Sequence, residues 1–107
     1  MEASAANQLP GLVGLKPEQA SAEVQEICNQ VRKAVEVKIN GGNRFGQFKA
    51  KLYIQLVVAG VDYRIKVQIN EVSVIRIQVF QGLPSGGVPA LPKLTSVGAD
   101  GPLDKPF

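Results

Sequence analysis

The stretch best suited to a specific contact is Val57-Val58-Ala59-Gly60, which joins two runs of alternating apolar and polar residues. The apolar positions are 48, 50, 52, 54 and 56 before it and 61, 63, 65, 67 and 69 after it. This period of two predicts two strands, each with one buried face. Gly60 is the only joining residue free to take positive φ, so the turn should centre on it. Exposed turns usually carry Asn, Asp or Ser. The valines and alanine therefore predict an apolar surface that another molecule covers.

Catalysis and metal binding would need side chains that this sequence lacks. The chain has no histidine and a single cysteine, Cys28, which removes Ser–His and Cys–His activation of a nucleophile. The same shortage leaves no zinc-ligand set. Carboxylates such as Glu23 and Glu26 have helical spacing and predict a solvent-facing stripe, and Gly41-Gly42 follows a helix instead of preceding one as a phosphate loop would. We therefore expect no enzymatic activity, no cofactor and no metal.

Length and charge restrict the class of protein further. A chain of 107 residues predicts one domain over residues 1–107, with residues 1–11 as a loose tail. The net charge of +3 comes from Lys and Arg residues that are scattered along the chain, and the chain has no tryptophan for base stacking. Such a distribution is typical of a solvated face and not of a nucleic-acid surface. No apolar run could span a bilayer, and residues 1–4 lack signal-peptide features. One cysteine excludes an internal disulfide, so we expect a cytoplasmic protein with no membrane partner.

The apolar tip and the strand after it resemble the first binding loop and third strand of the cystatins. The resemblance is closest to the stefins, the short intracellular type. The stefin pattern is Gln-Val-Val-Ala-Gly, followed by a strand such as Asn-Tyr-Phe-Ile-Lys-Val. This chain has Val57-Val58-Ala59-Gly60 and then Tyr63-Arg64-Ile65-Lys66-Val67. It departs from the pattern at the first motif position, where Leu56 stands and the glutamine lies one place earlier, at Gln55.

Two further stretches resemble the family, in the expected order along the chain. Leu12-Val13-Gly14 resembles the apolar trunk of cystatins, with Leu9-Pro10-Gly11 as the alternative register. The other interpretation of this segment is a tail that packs on the edge of its own sheet. Val79-Phe80-Gln81, followed by Leu83-Pro84, resembles the second binding loop, in which Leu-Pro contacts the target. The other interpretation is a plain hairpin connection. The resemblance runs from about residue 12 to Phe107.

A helix and a sheet must hold these loops in place. Apolar residues at helical spacing are Val24, Ile27, Cys28, Val31 and Val35. Ser21 is a suitable N-cap and Gly41-Gly42 a suitable end, although the alternation of Val35, Val37 and Ile39 leaves that end open. Strand-like stretches follow near 46–57, 60–70, 73–82 and 90–97. We predict an α+β fold, with one N-terminal helix packed on a curved antiparallel sheet of four to five strands.

The resemblance implies a reversible, tight-binding inhibitor of papain-like cysteine proteases of the cathepsin type, which occludes the active site. The residues implied to contact the protease are Leu12, Val13, Gly14, Leu56, Val57, Val58, Ala59, Gly60, Leu83 and Pro84. We expect a monomer that can also form a domain-swapped dimer, because β-branched residues at the tip prefer extended backbone. The alternative is a cystatin-fold binding module, or an engineered scaffold, with a different protein target. It stays open because Leu52, Ile54 and Leu56 stand where stefins tend to be polar.

Overall fold

The computed structural model describes residues 17–88 and 90–99, in which one helix lies against one antiparallel sheet. The elements are β1 (Glu18–Gln19), α1 (Ala22–Ile39), β2 (Lys49–Val58), β3 (Gly60–Gln68), β4 (Val74–Gln81) and β5 (Lys93–Ala99). The strand order is β1-β2-β3-β4-β5, so every strand pairs with its neighbours in sequence. The predicted α+β fold is confirmed. The expected tail and trunk, including Leu12, Val13 and Gly14, lie outside the described residues.

Helix α1 begins where the sequence predicts. The Ser21 Oγ accepts a hydrogen bond from the Val24 backbone N–H at 3.3 Å, which satisfies one of the free donors of the first turn. The helix continues through Ile39, and both Val37 and Ile39 are exposed, so their alternation with Val35 marks no strand. The chain then leaves the helix at Gly41, which takes the left-handed φ of +61°.

The core lies between α1 and one face of the sheet. Its buried members are Val24, Ile27, Cys28, Val31 and Val35 from the helix, and Phe48, Ala50, Tyr63, Ile65, Val67, Ile75, Ile77 and Val79 from the sheet side. The helix contacts both β2 and β5, which lie on opposite sides of the central strands, so the sheet curves around it. Burial raises the pKa of the Cys28 thiol to about 12, which makes it an inert core residue.

A bulge in β2 corrects the predicted face of this strand. Ala50 pairs with Val67, but the next pair is Leu52 with Lys66, so one extra residue lies between them. Because side chains alternate along a strand, one inserted residue moves every later side chain to the other face. Tyr53 therefore takes the helix side. The pairs on the opposite face are Leu52–Lys66, Ile54–Arg64 and Leu56–Asp62. The prediction of a single apolar face from residue 48 to residue 56 is wrong after Ala50.

A cluster around Glu36 fixes the segment that leads from α1 into β2. The Glu36 Oε2 accepts hydrogen bonds from the Arg32 Nε at 2.8 Å and from the Phe45 backbone N–H at 3.1 Å. The Arg32 Nη2 donates to the Phe45 carbonyl at 2.8 Å, and its guanidinium lies 5.6 Å from the Phe48 ring centroid. The hydrogen bond from Arg32 is the main reason that the pKa of Glu36 lies below its ordinary value. The Glu36 cluster consists of Arg32, Glu36, Phe45 and Phe48.

Candidate functional site

The first loop is a very tight turn that carries exposed valines. Val57 pairs with Val61 and Val58 pairs with Gly60, which leaves Ala59 alone at the apex. The exposed fractions are 78% for Val57 and 54% for Val58, and Ala59 is also exposed. Side chains of this kind at an exposed apex lose contact with water only when another molecule covers them.

Gly60 holds the first loop directly against the end of β4. It has a φ of +120°, so the predicted positive φ at the turn is present. A Cβ built on Gly60 would lie 2.6 Å from the Gln81 carbonyl oxygen, 2.9 Å from the Phe80 Cζ and 3.0 Å from the Gly82 Cα. Two of these three neighbours are backbone atoms, which cannot rotate away as a side chain can. The close approach of the two loops therefore depends on a residue without a side chain.

The second loop, residues 82–92, connects β4 to β5 and has internal order of its own. Ser85 and Val88 exchange two backbone hydrogen bonds of 3.0 Å. The residues between them, Gly86 and Gly87, have φ of +60° and +79°, the combination that a type I′ hairpin turn requires. The Gln81 Nε2 also donates to the Ala90 carbonyl at 2.8 Å, which ties the two ends of the loop together.

The predicted second-loop residues lie on the outside of this structure. Leu83 has 66% of its surface exposed, and Pro84 is exposed as well. Because Gly60 touches Gly82, the Leu83-Pro84 step follows immediately after the contact between the two loops. The structure thus brings together Val57, Val58, Ala59, Gly60, Leu83 and Pro84 at one end of the sheet.

Leu56 has a different environment from the tip. It is half-buried and pairs with Asp62 on the face opposite the helix. Asp62 accepts hydrogen bonds from the Gln78 Nε2 at 3.2 Å to each carboxylate oxygen, and its Oδ2 lies 3.6 Å from the Arg64 Nε. Leu56 therefore lies beside a polar group on the outer face of the sheet, whereas Val57 projects from the helix side.

Two apolar residues of the second loop were not predicted from the sequence. Val88 is 65% exposed and Leu91 is 80% exposed. A usable signal was present, because no residue from Gln81 to Pro92 is charged. An uncharged run of this length, in a loop exposed to water, is unusual for a plain connection.

Strand β1 runs antiparallel to β2 at the edge of the sheet. Glu18 pairs with Tyr53 and Gln19 pairs with Leu52. Moving backwards along β1 therefore means moving forwards along β2, toward the first loop. The N-terminal end of β1 therefore points to the same end of the sheet as the tip.

The described residues offer an apolar contact surface and little else in the way of chemistry. Within residues 17–88 and 90–99, no group of three or more cysteine and carboxylate side chains is placed to hold a metal ion. In the same part of the chain, no helix combines the length and the apolarity that crossing a bilayer would need.

Comparison with known proteins assigns this arrangement to a family. The sequence profile of the cystatin domain matches residues 11–90. The chain belongs to the cystatin family. It is 45% identical to Cystatin-A of Felis catus over 74 residues, which cover 69% of this chain and 71% of that protein. It is 42% identical to Stefin-C of Bos taurus over 81 residues, covering 75% and 78% of the two chains.

The name of a third relative states its activity. Leukocyte cysteine proteinase inhibitor 1 of Sus scrofa is 41% identical over 69 residues, which cover 64% of this cystatin and 65% of that protein. The predicted resemblance to stefin-type cystatins is confirmed by these relatives. The matched range, 11–90, includes Leu12-Val13-Gly14, the first loop and the second loop as far as Ala90. The cystatin domain therefore spans every residue predicted to contact a protease.

Proposed function

We propose that this cystatin is a reversible, tight-binding inhibitor of papain-like cysteine proteases, including those of the cathepsin type. One observation carries the proposal: two uncharged loops with exposed apolar side chains touch through Gly60 and form a single edge. An edge of this kind can enter a cleft and exclude water from it. The names of the relatives supply the kind of protein that has the cleft.

The mechanism that this edge supports is occlusion. Val57 and Val58 enter the cleft from one side of the Gly60 contact, and Leu83-Pro84 enters from the other. The backbone of the tip is already paired across the hairpin, at Val57–Val61 and Val58–Gly60. A protease needs an extended, unpaired substrate backbone on which to act, so the tip resists cleavage while it fills the site. The preformed loops also reduce the entropy lost on binding.

The trunk completes the edge in this proposal. Gly14 precedes Glu18 by four residues, and Val57 follows Tyr53 by four residues along the strand that pairs with β1. At about 3.3 Å per extended residue, both intervals amount to roughly 13 Å. An extended trunk would therefore bring Leu12-Val13-Gly14 beside the tip, which favours the Gly14 register over Leu9-Pro10-Gly11. Leu56 contributes at most the flank of the edge, because it is half-buried beside Asp62, whereas Val57 and Val58 are exposed.

The test is a titration of active papain with the protein. We expect stoichiometric loss of activity at about nanomolar affinity, which is usual for a standard-sized interface on a rigid scaffold. Activity should return on dilution, and the inhibitor should be recovered uncleaved. Full papain activity at micromolar protein would contradict the proposal and favour a cystatin-fold binding module with another protein target.

We also propose an oligomeric state and a cellular location for the protein. It acts as a monomer, catalyses no reaction, and works in the reducing cytoplasm, which is supported by the single, fully buried Cys28. Its whole length, residues 1–107, forms one domain. Cell fractionation with an antibody tests the location, and size-exclusion chromatography tests the oligomeric state.

A domain-swapped dimer is the one alternative assembly that the first loop favours. Val57 and Val58 are β-branched, yet they flank a turn with a single residue at its apex. Opening this turn would join β2 and β3 into one long strand and allow two chains to exchange α1 and β2. The dimer would lose the tip, and with it the inhibitory edge.

A further inference from the structure

The second loop is longer than its connection requires. Antiparallel neighbours such as β4 and β5 are usually joined by two to five residues, whereas residues 82–92 supply eleven. The extra length is folded into the short hairpin at Ser85–Val88 and anchored by the hydrogen bond from Gln81 to Ala90. Long loops with such internal order usually have a binding role.

This extra part of the loop presents apolar side chains to water. Val88 and Leu91 are more exposed than a core-forming role would allow, and no charged residue lies between Gln81 and Pro92. Val72 is even more exposed, at 88%, but lies in the β3–β4 turn, at the other end of the sheet. The chain thus provides an apolar surface at the second loop and an isolated exposed valine far from it.

The extra part of the loop is continuous with the proposed edge. A Cβ built on Gly82 would lie 3.8 Å from the Ala90 Cβ, and Gly82 itself contacts Gly60. The order across the end of the sheet is therefore first loop, Gly82 and then Ala90 with Leu91 beside it. Ser85, next to Pro84, is hydrogen-bonded to Val88, so a protein that covers Leu83-Pro84 will also lie close to Val88 and Leu91.

We infer that Val88 and Leu91 form a second apolar contact with the protease, outside the cleft, and that this contact selects proteases whose surface beside the cleft is apolar. This inference rests on the proposed function. Binding becomes more favourable when apolar side chains displace water from an apolar surface. Against a charged surface the same loop offers no partner, because it has no charge, and burying the unpaired charge is costly.

The double serine variant Val88→Ser/Leu91→Ser tests the contact on a panel of papain-like proteases of known structure. On members with an apolar surface beside the cleft, we expect the inhibition constant to rise about tenfold for each side chain lost. On members with a charged surface there, we expect a change of less than about threefold. The matched control Val72→Ser should match the parent on all of them. Unfolding midpoints should agree among the variants, because all three side chains are exposed.

A second pair of variants tests whether the short hairpin presents Val88. Gly86 has positive φ and nothing within 4 Å of a built Cβ, so substitutions there act through backbone conformation alone. Asn tolerates this conformation and valine does not. We expect Gly86→Asn to keep the selectivity of the parent and Gly86→Val to lose it.

The outcomes separate this inference from the proposed function. If the parent inhibits and Leu83→Ser weakens inhibition, but the double serine variant stays within about threefold of the parent on every protease, the second contact is refuted and the proposed function stands. An equal loss on every protease would overturn the selectivity. If the parent inhibits no papain-like protease, both proposals fall.

Discussion

Replacing Gly60 with alanine should damage the protein where its two loops meet. The new Cβ would lie 2.6 Å from the Gln81 carbonyl oxygen, whereas ordinary contacts to a Cβ begin near 3.4 Å. The first loop must therefore move by at least several tenths of an ångström away from the second. Alanine must also either adopt the φ of +120°, which residues with a side chain rarely take, or change the backbone conformation of the turn. Backbone strain of this kind costs about 1–3 kcal/mol.

The loss should appear both in folding and in inhibition. We expect the free energy of unfolding to fall by about 1–3 kcal/mol, measured by urea denaturation. The inhibition constant for papain should rise by at least about tenfold, because the separated loops no longer fit one cleft. The rise should come mainly from faster dissociation, which stopped-flow displacement measures.

Two other glycines provide controls. Gly82→Ala would place a Cβ 3.6 Å from the Phe80 ring, an ordinary contact, so its stability should be close to that of the parent. Gly98→Ala, on β5, has nothing within 4 Å of the new Cβ and should preserve both stability and inhibition. A Gly60→Ala variant that matches Gly98→Ala in both measurements would refute the proposed role of the loop contact.

Three further predictions concern other parts of the chain. Deleting residues 1–14 should speed dissociation from papain about a hundredfold without unfolding the protein, since it removes two apolar side chains of the proposed trunk; unchanged kinetics would show that the segment is only a tail. Warming a concentrated sample should produce a dimer that does not inhibit papain. The Val57→Asp variant should dimerise less readily than the parent, because Asp has low strand propensity and tolerates turns. A fully inhibitory dimer would exclude a swap through this loop. The pKa of Glu36 lies below its ordinary value of 4.5, so its ionised form adds stability above that pH and the contribution is lost as the pH falls through the lower, folded pKa. Glu36→Gln should therefore be less stable than the parent at pH 7, with the gap closing below about pH 4.5 in urea denaturation, and a constant gap would contradict the role of the ionised carboxylate.

The parts of the fold that could be predicted depend on short-range patterns. The α1 stripe and the Ser21 cap involve residues within one or two turns of each other, so the sequence displays them directly. The four predicted strands match β2 to β5 to within three residues at each end, whereas the two-residue β1, too short to show a period, was not predicted. The tip at Val57–Gly60 was also recognisable, because apolar residues there contradict the usual composition of turns.

The remaining features depend on contacts between distant segments. Nothing in the alternation from Phe48 to Leu56 marks the extra residue in β2, since apolar residues occupy the same positions with or without it. Only the pairing with β3 shows that Leu56 faces away from the helix. The close packing of Gly60 on Gln81 is likewise set by the β3–β4 register. The uncharged run from Gln81 to Pro92 marks the second loop as unusual, but only the structure shows that Val88 and Leu91 are its exposed apolar residues.

The absence of charge at the two loops has a practical consequence for kinetic work. Neither residues 56–61 nor residues 81–92 contain a titratable side chain, and the chain has no histidine. The only thiol, on Cys28, has its pKa raised to about 12 by burial. Neither loop can therefore gain or lose a proton between about pH 5.5 and 7. A change in the inhibitor's association rate across that interval would therefore report ionisation in the protease, so the inhibitor can serve as a proton-silent probe of an active site.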